Sequence, residues 1–553
     1  MKLLDPKPLP FDFEQWQKKP FAKRCQMLCE AWALQGYGSP PSVFVFYILK
    51  MGLYMGLWMF FCSFSTELGS PSEISTWWAV PEALIKAVLW SILFEGMGLG
   101  SGSGPLTGKY FPPVTAVAHF VRPGTIKLPL FPKAPIIGGD KRNIIDVLLY
   151  IAHLGFLLRA LLAPEVTPEL LLPNAILLPL LGLLDRSIFL SARAEHYYVA
   201  LLCFLFPEDA LAGSKWVWWG VWFWAATSKL NQHFPSVIGV MLSNSAIFQS
   251  TWLRRRLYKS YPDDLRPSRL AAMMAHSGTL IEYTFPILLV LGDGGPLTQF
   301  ALVAMLLFHL FITGNIPMGV PIEWNVIMVY GAFVLFGAHA DVSLLTLESP
   351  LLIAALGTGL LLVPLIGNFF PQYVSFLLSM RYYAGNWAYS VWLFKKGTEE
   401  KLDDHLVKTS KTLMKQLAPF YDPLTAESLV SKVTGFRMMH LHGRALQLLV
   451  PRAVENIDDY IWRDGELVAG VALGWNFGDG HLHHELLLEA IQKRCQFERG
   501  DVRCIFVESQ PMARPHLDWR IADAAGGQLD SGRIKISELR KLQPYPVEDS
   551  VYA

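Results

Sequence analysis

The sequence predicts a mainly α-helical, polytopic membrane bundle of about ten spans, followed by a small cytoplasmic α/β domain. Three observations carry this prediction. Apolar runs of roughly 17 to 25 residues, long enough to cross a bilayer as helices, recur through the first two thirds of the chain. The connections between them alternate between basic and acidic, as an excess of Lys and Arg on the cytoplasmic side requires. Beyond about residue 395 no spanning run returns. Composition agrees, because 52% of the 553 residues are hydrophobic and only 17% are charged, the balance of a chain that mostly faces lipid. A net charge of +1 leaves no basic surface for nucleic acid. The six scattered cysteines make no disulfide framework, and Cys25 with Cys29 lacks the second pair a zinc site needs.

Residues 1–41 read as a cytoplasmic segment: they are polar and Pro-rich with no signal-peptide core, so the first span acts as the insertion signal. Residues 42–394 read as the membrane domain, with spans near 42–63, 77–98, 144–163, 170–190, 196–207, 215–232, 270–292, 297–316, 322–338 and 349–370. Lys18, Lys19, Lys23 and Arg24 precede the first span, whereas STELGSPSE after it carries only acids. The 99–143 loop is basic, APEVTPE acidic, and the Arg254–Arg255–Arg256 cluster basic again. This alternation places both termini in the cytoplasm. The loop containing RPGTIKLPLFPKAP is too rich in Pro and Gly for one helix and is expected to pack back on the bundle. The stretch from NQHFP to YPDD suits either an interfacial segment at an anionic leaflet or a solvated basic loop. In the C-terminal region, 395–553, KKGTEEKLDDHLVKTSKTLMKQL reads as an amphipathic helix. GELVAGVALGW and VRCIFVES read as strands around the helix HHELLLEAIQKRCQ, a β–α–β unit. The turn GWNFGDGH lacks the residues of a phosphate loop.

Ionisable groups within membrane-length apolar runs are expensive and mark candidate sites. Here they are Asp185, Arg186, Arg193, Glu195, His196, Lys229, His276, Glu282, His309 and Glu323, with Asn231, Asn315 and Asn325 as hydrogen-bonding companions. By depth they are expected to share one cytoplasm-facing cavity. A lysine in an apolar pocket serves as a base near neutral pH, so Lys229 is the candidate general base and His196 its partner. A lysine at a span end is also a snorkelling anchor, and buried pairs such as Asp185 with Arg193 also merely hold helices together. His276 and Glu282 are six residues apart, about 240° around a helix, and do not share a face. In the C-terminal region His440, His442, His481, His483 and His484 are either surface histidines or, if convergent, metal ligands; no Cys or Asp stands at ligand spacing beside them, and no metal is assigned.

The string DRSIFLSARAEHYYVALLCFLFPED, with ATSKLN one span later and then IEYTFP and FHLFI, resembles the core of the vitamin K-dependent gamma-carboxylase and horizontally transferred transmembrane (HTTM) domain superfamily over roughly 145–335. Together with RPGTIKLP, HSGTLIEY, PMGVPIEWN and SMRYYAGNWAYS, nearly the whole chain resembles a bacterial transmembrane family of unknown function. The first resemblance implies that Lys229 matches the base that deprotonates a reduced quinone and His196 a supporting histidine. Ala194-Glu195, Phe234-Pro235 and Thr313 depart from that pattern, and the charge count turns the site toward the cytoplasm, so glutamate carboxylation does not transfer. What carries over is a polar pocket for a quinone, isoprenoid or lipid; no cofactor is implied. The expected function is therefore a membrane enzyme using Lys229 and His196. The alternatives are a lipid-binding scaffold whose cytoplasmic domain recruits a partner protein and, more weakly, a transporter.

Overall fold

The computed structural model describes residues 3–100, 115–135, 137–315 and 321–547. Among the described residues, five helices are long and apolar enough to cross a membrane: Pro41–Cys62, Ile144–Leu162, Arg269–Leu291, Pro296–Thr313 and the continuous helical stretch Pro350–Phe369. Several begin with proline in the first turn, where its fixed φ suits the helix and its missing N–H costs nothing. Their outer faces are apolar and exposed, as at Ile48, Leu280, Phe300 and Leu351, the surface of a helix made for lipid.

Two other helices form the centre. Pro81–Gly96 is buried along nearly its whole length and packs on the Pro41–Cys62 and Ile144–Leu162 helices. Ala210–Ser228, with Trp218 and Trp222 fully buried, packs on Arg269–Leu291. The other expected spans are shorter apolar elements. Pro168–Leu184 stops where Asp185 leaves helical geometry to cap the next helix, Arg186–Ser191. The expected fifth span is a π-helical turn, Ala194–Tyr198, continued by Val199–Cys203. Ile322–Ala332 runs into a second π-helical turn, Phe333–Ala338. A chain that is apolar all round satisfies a helix enclosed by protein as well as one facing lipid, so apolar length alone does not distinguish them.

The loop that follows Pro81–Gly96 folds back on the bundle from residue 122 onward; residues 101–114 lie outside the described residues. Lys127 and Asp146 are buried together at 2.8 Å, and Leu130 N–H donates to Leu183 O at 3.0 Å. In the expected interfacial stretch, β1 (Tyr258–Ser260) and β2 (Asp264–Pro267) form a short antiparallel ribbon, while Ile247 and Trp252 are exposed.

The C-terminal sheet comprises β3 (Tyr389–Lys395), β4 (Tyr460–Asp464), β5 (Val502–Val507), β6 (His516–Asp523) and β7 (Gly527–Lys535), in the order β4-β3-β5-β6-β7. Every pairing is antiparallel, so the β–α–β expectation is corrected. VRCIFVES supplies β5 and HHELLLEAIQKRCQ supplies the helix Glu485–Cys495, but GELVAGVALGW is the buried helix Gly465–Leu473, not a strand. A short apolar run fits both periods. The Asp464 side chain, accepting from Glu466 N–H at 3.0 Å, caps it and starts the helix. The expected amphipathic helix is instead two short ones, Lys401–His405 and Leu413–Leu417. Asp403 reorganises the stretch between them by accepting from Lys408, from Thr412 N–H and Oγ1 at 2.9 and 2.7 Å, and from Lys415 at 2.9 Å.

The N-terminal helix Phe21–Gln35 packs against Pro423–Met439 beside this sheet, and Trp32 donates to Val240 O at 3.2 Å. His440, His442, His481 and His483 are all buried, and among the described residues no three His, Cys, Asp or Glu are placed to hold a metal ion. His481 lies 3.0 Å from Glu508 and 3.4 Å from Asp479. Burial opposes a charged ring, but the two carboxylates prevail and raise its pKa to about 10; burial likewise opposes the Glu508 carboxylate, which His481 brings down to about 2. The stability from His481 is therefore complete below its ordinary pKa of 6.5 and is lost as pH rises through 10; that from Glu508 is complete above 4.5 and is lost toward pH 2. The thermal midpoint of the wild type should fall between pH 7 and 10 more steeply than that of His481→Gln, which should start lower. Parallel slopes in the two proteins would remove His481 from this role.

Candidate functional site

Lys229 is the C-cap of the central helix Ala210–Ser228, where the helix dipole favours a cation. Asn231 fixes the turn that follows. Its Oδ1 accepts from His233 N–H at 2.7 Å and Phe234 N–H at 2.9 Å, while Nδ2 donates to Ser228 O at 2.5 Å and Ala384 O at 3.1 Å. Lys229 is thereby directed at Glu282 of the Arg269–Leu291 helix, and the two form a buried ion pair. One residue along, Tyr283 donates to Thr227 Oγ1 at 2.7 Å and ties the same two helices.

The pair borders a cavity of about 150 Å³. Apolar side chains from the helices Phe234–Leu242, Arg269–Leu291 and Pro296–Thr313 form most of its wall; Asn315 and Asn325 contribute amides, and Trp324, Phe376, Tyr382, Tyr383 and Phe477 an aromatic end. His309 stands one layer behind. Trp222 Nε1 donates to its Nε2 at 3.1 Å, so the ring proton sits on Nδ1, facing Asn325 Oδ1 at 2.8 Å. His309 thus orients a pocket amide.

Behind the aromatic end lies a second polar cluster. Arg193 Nε donates to Glu195 Oε1 at 2.5 Å, and the Tyr382 hydroxyl donates to the same oxygen at 3.2 Å. His196 Nδ1 is 3.5 Å from it, and the His196 ring meets Trp324 edge-on at 5.8 Å. The Arg193 guanidinium lies 5.6 to 5.9 Å from the ring centres of Phe477, Tyr382 and Trp324. Arg193, Met380 and Tyr383 have φ of 53°, 53° and 44°, left-handed values that cost about 1–3 kcal/mol each when strained and that cluster at functional sites. A π-helical turn at Ala194–Tyr198, another such marker, holds Glu195 and His196.

The expected convergence is partial. Lys229, Glu282, Asn315 and Asn325 line the cavity. Asn231 and His309 support it, and Arg193, Glu195 and His196 back its aromatic wall. Lys229 and His196 do not touch: one partners Glu282, the other neighbours Glu195. Asp185 pairs with Arg142, not Arg193, and caps a helix through Ser187 N–H at 3.0 Å. Glu323 pairs with Lys50 at 3.1 Å, and His276 is exposed. Sequence reasoning passed over Tyr382, Trp324, Phe477, Lys50 and Arg142. Lys50 alone carried a signal of the kind sought, as the single charge within its apolar run.

Removing one member of a buried pair strands the other charge and costs about 3–5 kcal/mol, whereas replacing both with apolar groups is often near neutral. Lys229→Met and Glu282→Leu should each lower stability against chemical denaturation in detergent, and the double variant should recover most of the loss. Additive losses would show that the two side chains are not coupled.

The chain matches one family over residues 1–553, described as transmembrane protein of unknown function, DUF3556. No curated protein and no solved structure matches it. With membrane-length apolar helices on the page and the match running from end to end, the chain belongs to this family of transmembrane proteins.

Proposed function

We propose that the protein is a membrane enzyme acting on a quinone-, isoprenoid- or lipid-like amphiphile, bound in this cavity with its reacting end at Lys229 and Glu282. One observation carries the reading: an ion pair joining two helices also borders an otherwise apolar, aromatic-ended cavity. The pairs Lys50–Glu323, Lys127–Asp146 and Arg142–Asp185 do not border it.

Moving one proton from Lys229 Nζ to Glu282 removes both charges and leaves a neutral amine beside the ligand. The amine takes the ligand's acidic proton and becomes ammonium; the ligand keeps the electron pair, and its new negative charge lies against the new cation. His196 contributes from behind the wall, through Glu195 and the Tyr382 hydroxyl. The resemblance of residues 145–335 to the gamma-carboxylase and HTTM superfamily agrees with Lys229 as base. The alternation of basic and acidic connections supports about ten spans with both termini and the sheet region in the cytoplasm, and the resemblance to a bacterial transmembrane family supports a bacterial inner membrane.

Native mass spectrometry with lipidomics on protein gently purified from its own membrane tests this. A discrete co-purifying amphiphile should appear in the wild type and be lost in the Lys229→Met/Glu282→Leu double variant, whose charges are removed together. Bulk phospholipid alone, the same in both, would reject a specific pocket and favour a scaffold whose sheet region recruits a protein partner.

A further inference from the structure

We propose that the cavity takes a neutral amphiphile whose head bears hydroxyl groups, and that it discriminates against phosphate-bearing lipids. This narrows the ligand class of the function proposed above and rests on that reading. Two features carry it.

The first is charge. Among the described residues, the cavity wall holds one cation and one anion, Lys229 and Glu282, and each is the other's partner. Recognition of phosphate needs surplus cationic donors, commonly in a bidentate fork, because a buried phosphate has lost its water and must be neutralised. No surplus exists here. Arg193, behind the wall, is not a lining residue; its guanidinium faces aromatic rings and its Nε is spent on Glu195. A phosphate entering this cavity would also meet the Glu282 carboxylate.

The second is the hydrogen-bonding left unmatched. Asn315 spends Nδ2 on Phe311 O at 3.0 Å, which fixes the amide's orientation, and its buried Oδ1 has no hydrogen-bond partner among the described residues. Trp324 Nε1, also buried, has none either. The Tyr382 hydroxyl spends its proton on Glu195, leaving lone pairs as what it can offer. The lining residues therefore carry unspent acceptors at Asn315 and Tyr382 and an unspent donor at Trp324. A hydroxyl donates one hydrogen bond and accepts others, so it suits both kinds of site. Phosphate diesters and simple esters bring acceptors alone and leave Asn315 Oδ1 unmet, which is costly in a buried position.

Chain-matched probes separate head group from tail. 1,2-Dioctanoylglycerol and 1,2-dioctanoyl phosphatidic acid would be titrated onto the detergent-purified full chain and retained adducts counted by native mass spectrometry. The glycerol should be retained at least tenfold more strongly. Tyr382→Phe and Asn315→Leu should each weaken it by about fivefold, the effect of one hydrogen bond, and leave the phosphatidate unchanged. Glu282→Gln, which unpairs Lys229, should narrow the preference; if that variant does not fold, the other two still decide. Equal or stronger retention of the phosphatidate, retention of neither probe, or variants without effect would overturn the hydroxyl assignment. The co-purification result above stands apart from all three, since a discrete phosphate-bearing amphiphile lost in the double variant would uphold the pocket while rejecting this head group.

Discussion

Charge in an apolar interior has to be answered, and at four places in the helical region it is answered by opposite charge. Lys50 meets Glu323, Lys127 meets Asp146, Arg142 meets Asp185, and Lys229 meets Glu282, each pair bringing together positions far apart in the chain. Attraction between apolar helices in lipid specifies little, because one oily face fits another as well as it fits lipid. An ion pair admits one arrangement, and a helix displaced by a turn would leave two buried charges unanswered. Such pairs contribute little net stability relative to apolar packing, but breaking one is costly. Their effect is to select one register among many packings of similar energy.

Lys229 and Glu282 obey the same rule and add a cavity. The surroundings of that cavity depart from low-energy geometry in several places: left-handed Arg193, Met380 and Tyr383, and the π-helical turn at Ala194–Tyr198. The departures share one outcome, because Arg193 and the Tyr382 hydroxyl reach the same Glu195 oxygen across the aromatic wall. A relaxed backbone at Met380 or Tyr383 would redirect Tyr382. The strain is held in place by the packing and ion pairs around it.

Much of this was legible in the residues. Apolar runs identified a membrane protein, and intramembrane charge identified Lys229 and Glu282, because both signals are properties of single segments. Which charge meets which was not legible. Asp185 and Arg193 are eight residues apart in sequence, yet each takes another partner, since the loop carrying Arg142 folds under Asp185 and Glu195 lies two residues from Arg193. His276 and Glu282 share a helix but not a face, so the first is exposed and the second is not. Tyr382, Trp324 and Phe477 were hidden for a different reason: aromatics are common in this chain, and nothing local marks those that border a cavity. In the sheet region, GELVAGVALGW shows how enclosure removes the periodicity that separates helix from strand.

The boundary between membrane and sheet regions runs through the pocket. Phe376, Tyr382 and Tyr383 precede β3, and Phe477 comes from GWNFGDGH, between the helices Gly465–Leu473 and Glu485–Cys495. Gly474 and Gly478, with φ of 76° and 64°, turn the backbone where a side chain would be strained, and a side chain at Gly480 would strike the backbone of Ala388. Asp479 and His481 then hold the turn to Glu508 at the end of β5. The glycines of this segment thus serve to bring Phe477 to the cavity, and the ion pair beside them keeps it there. A change that loosens the His481–Glu508 contact therefore acts on the aromatic wall as well as on the sheet. The C-terminal region is in this sense part of the cavity wall, and its removal would open the cavity at the end where Tyr382 meets Glu195.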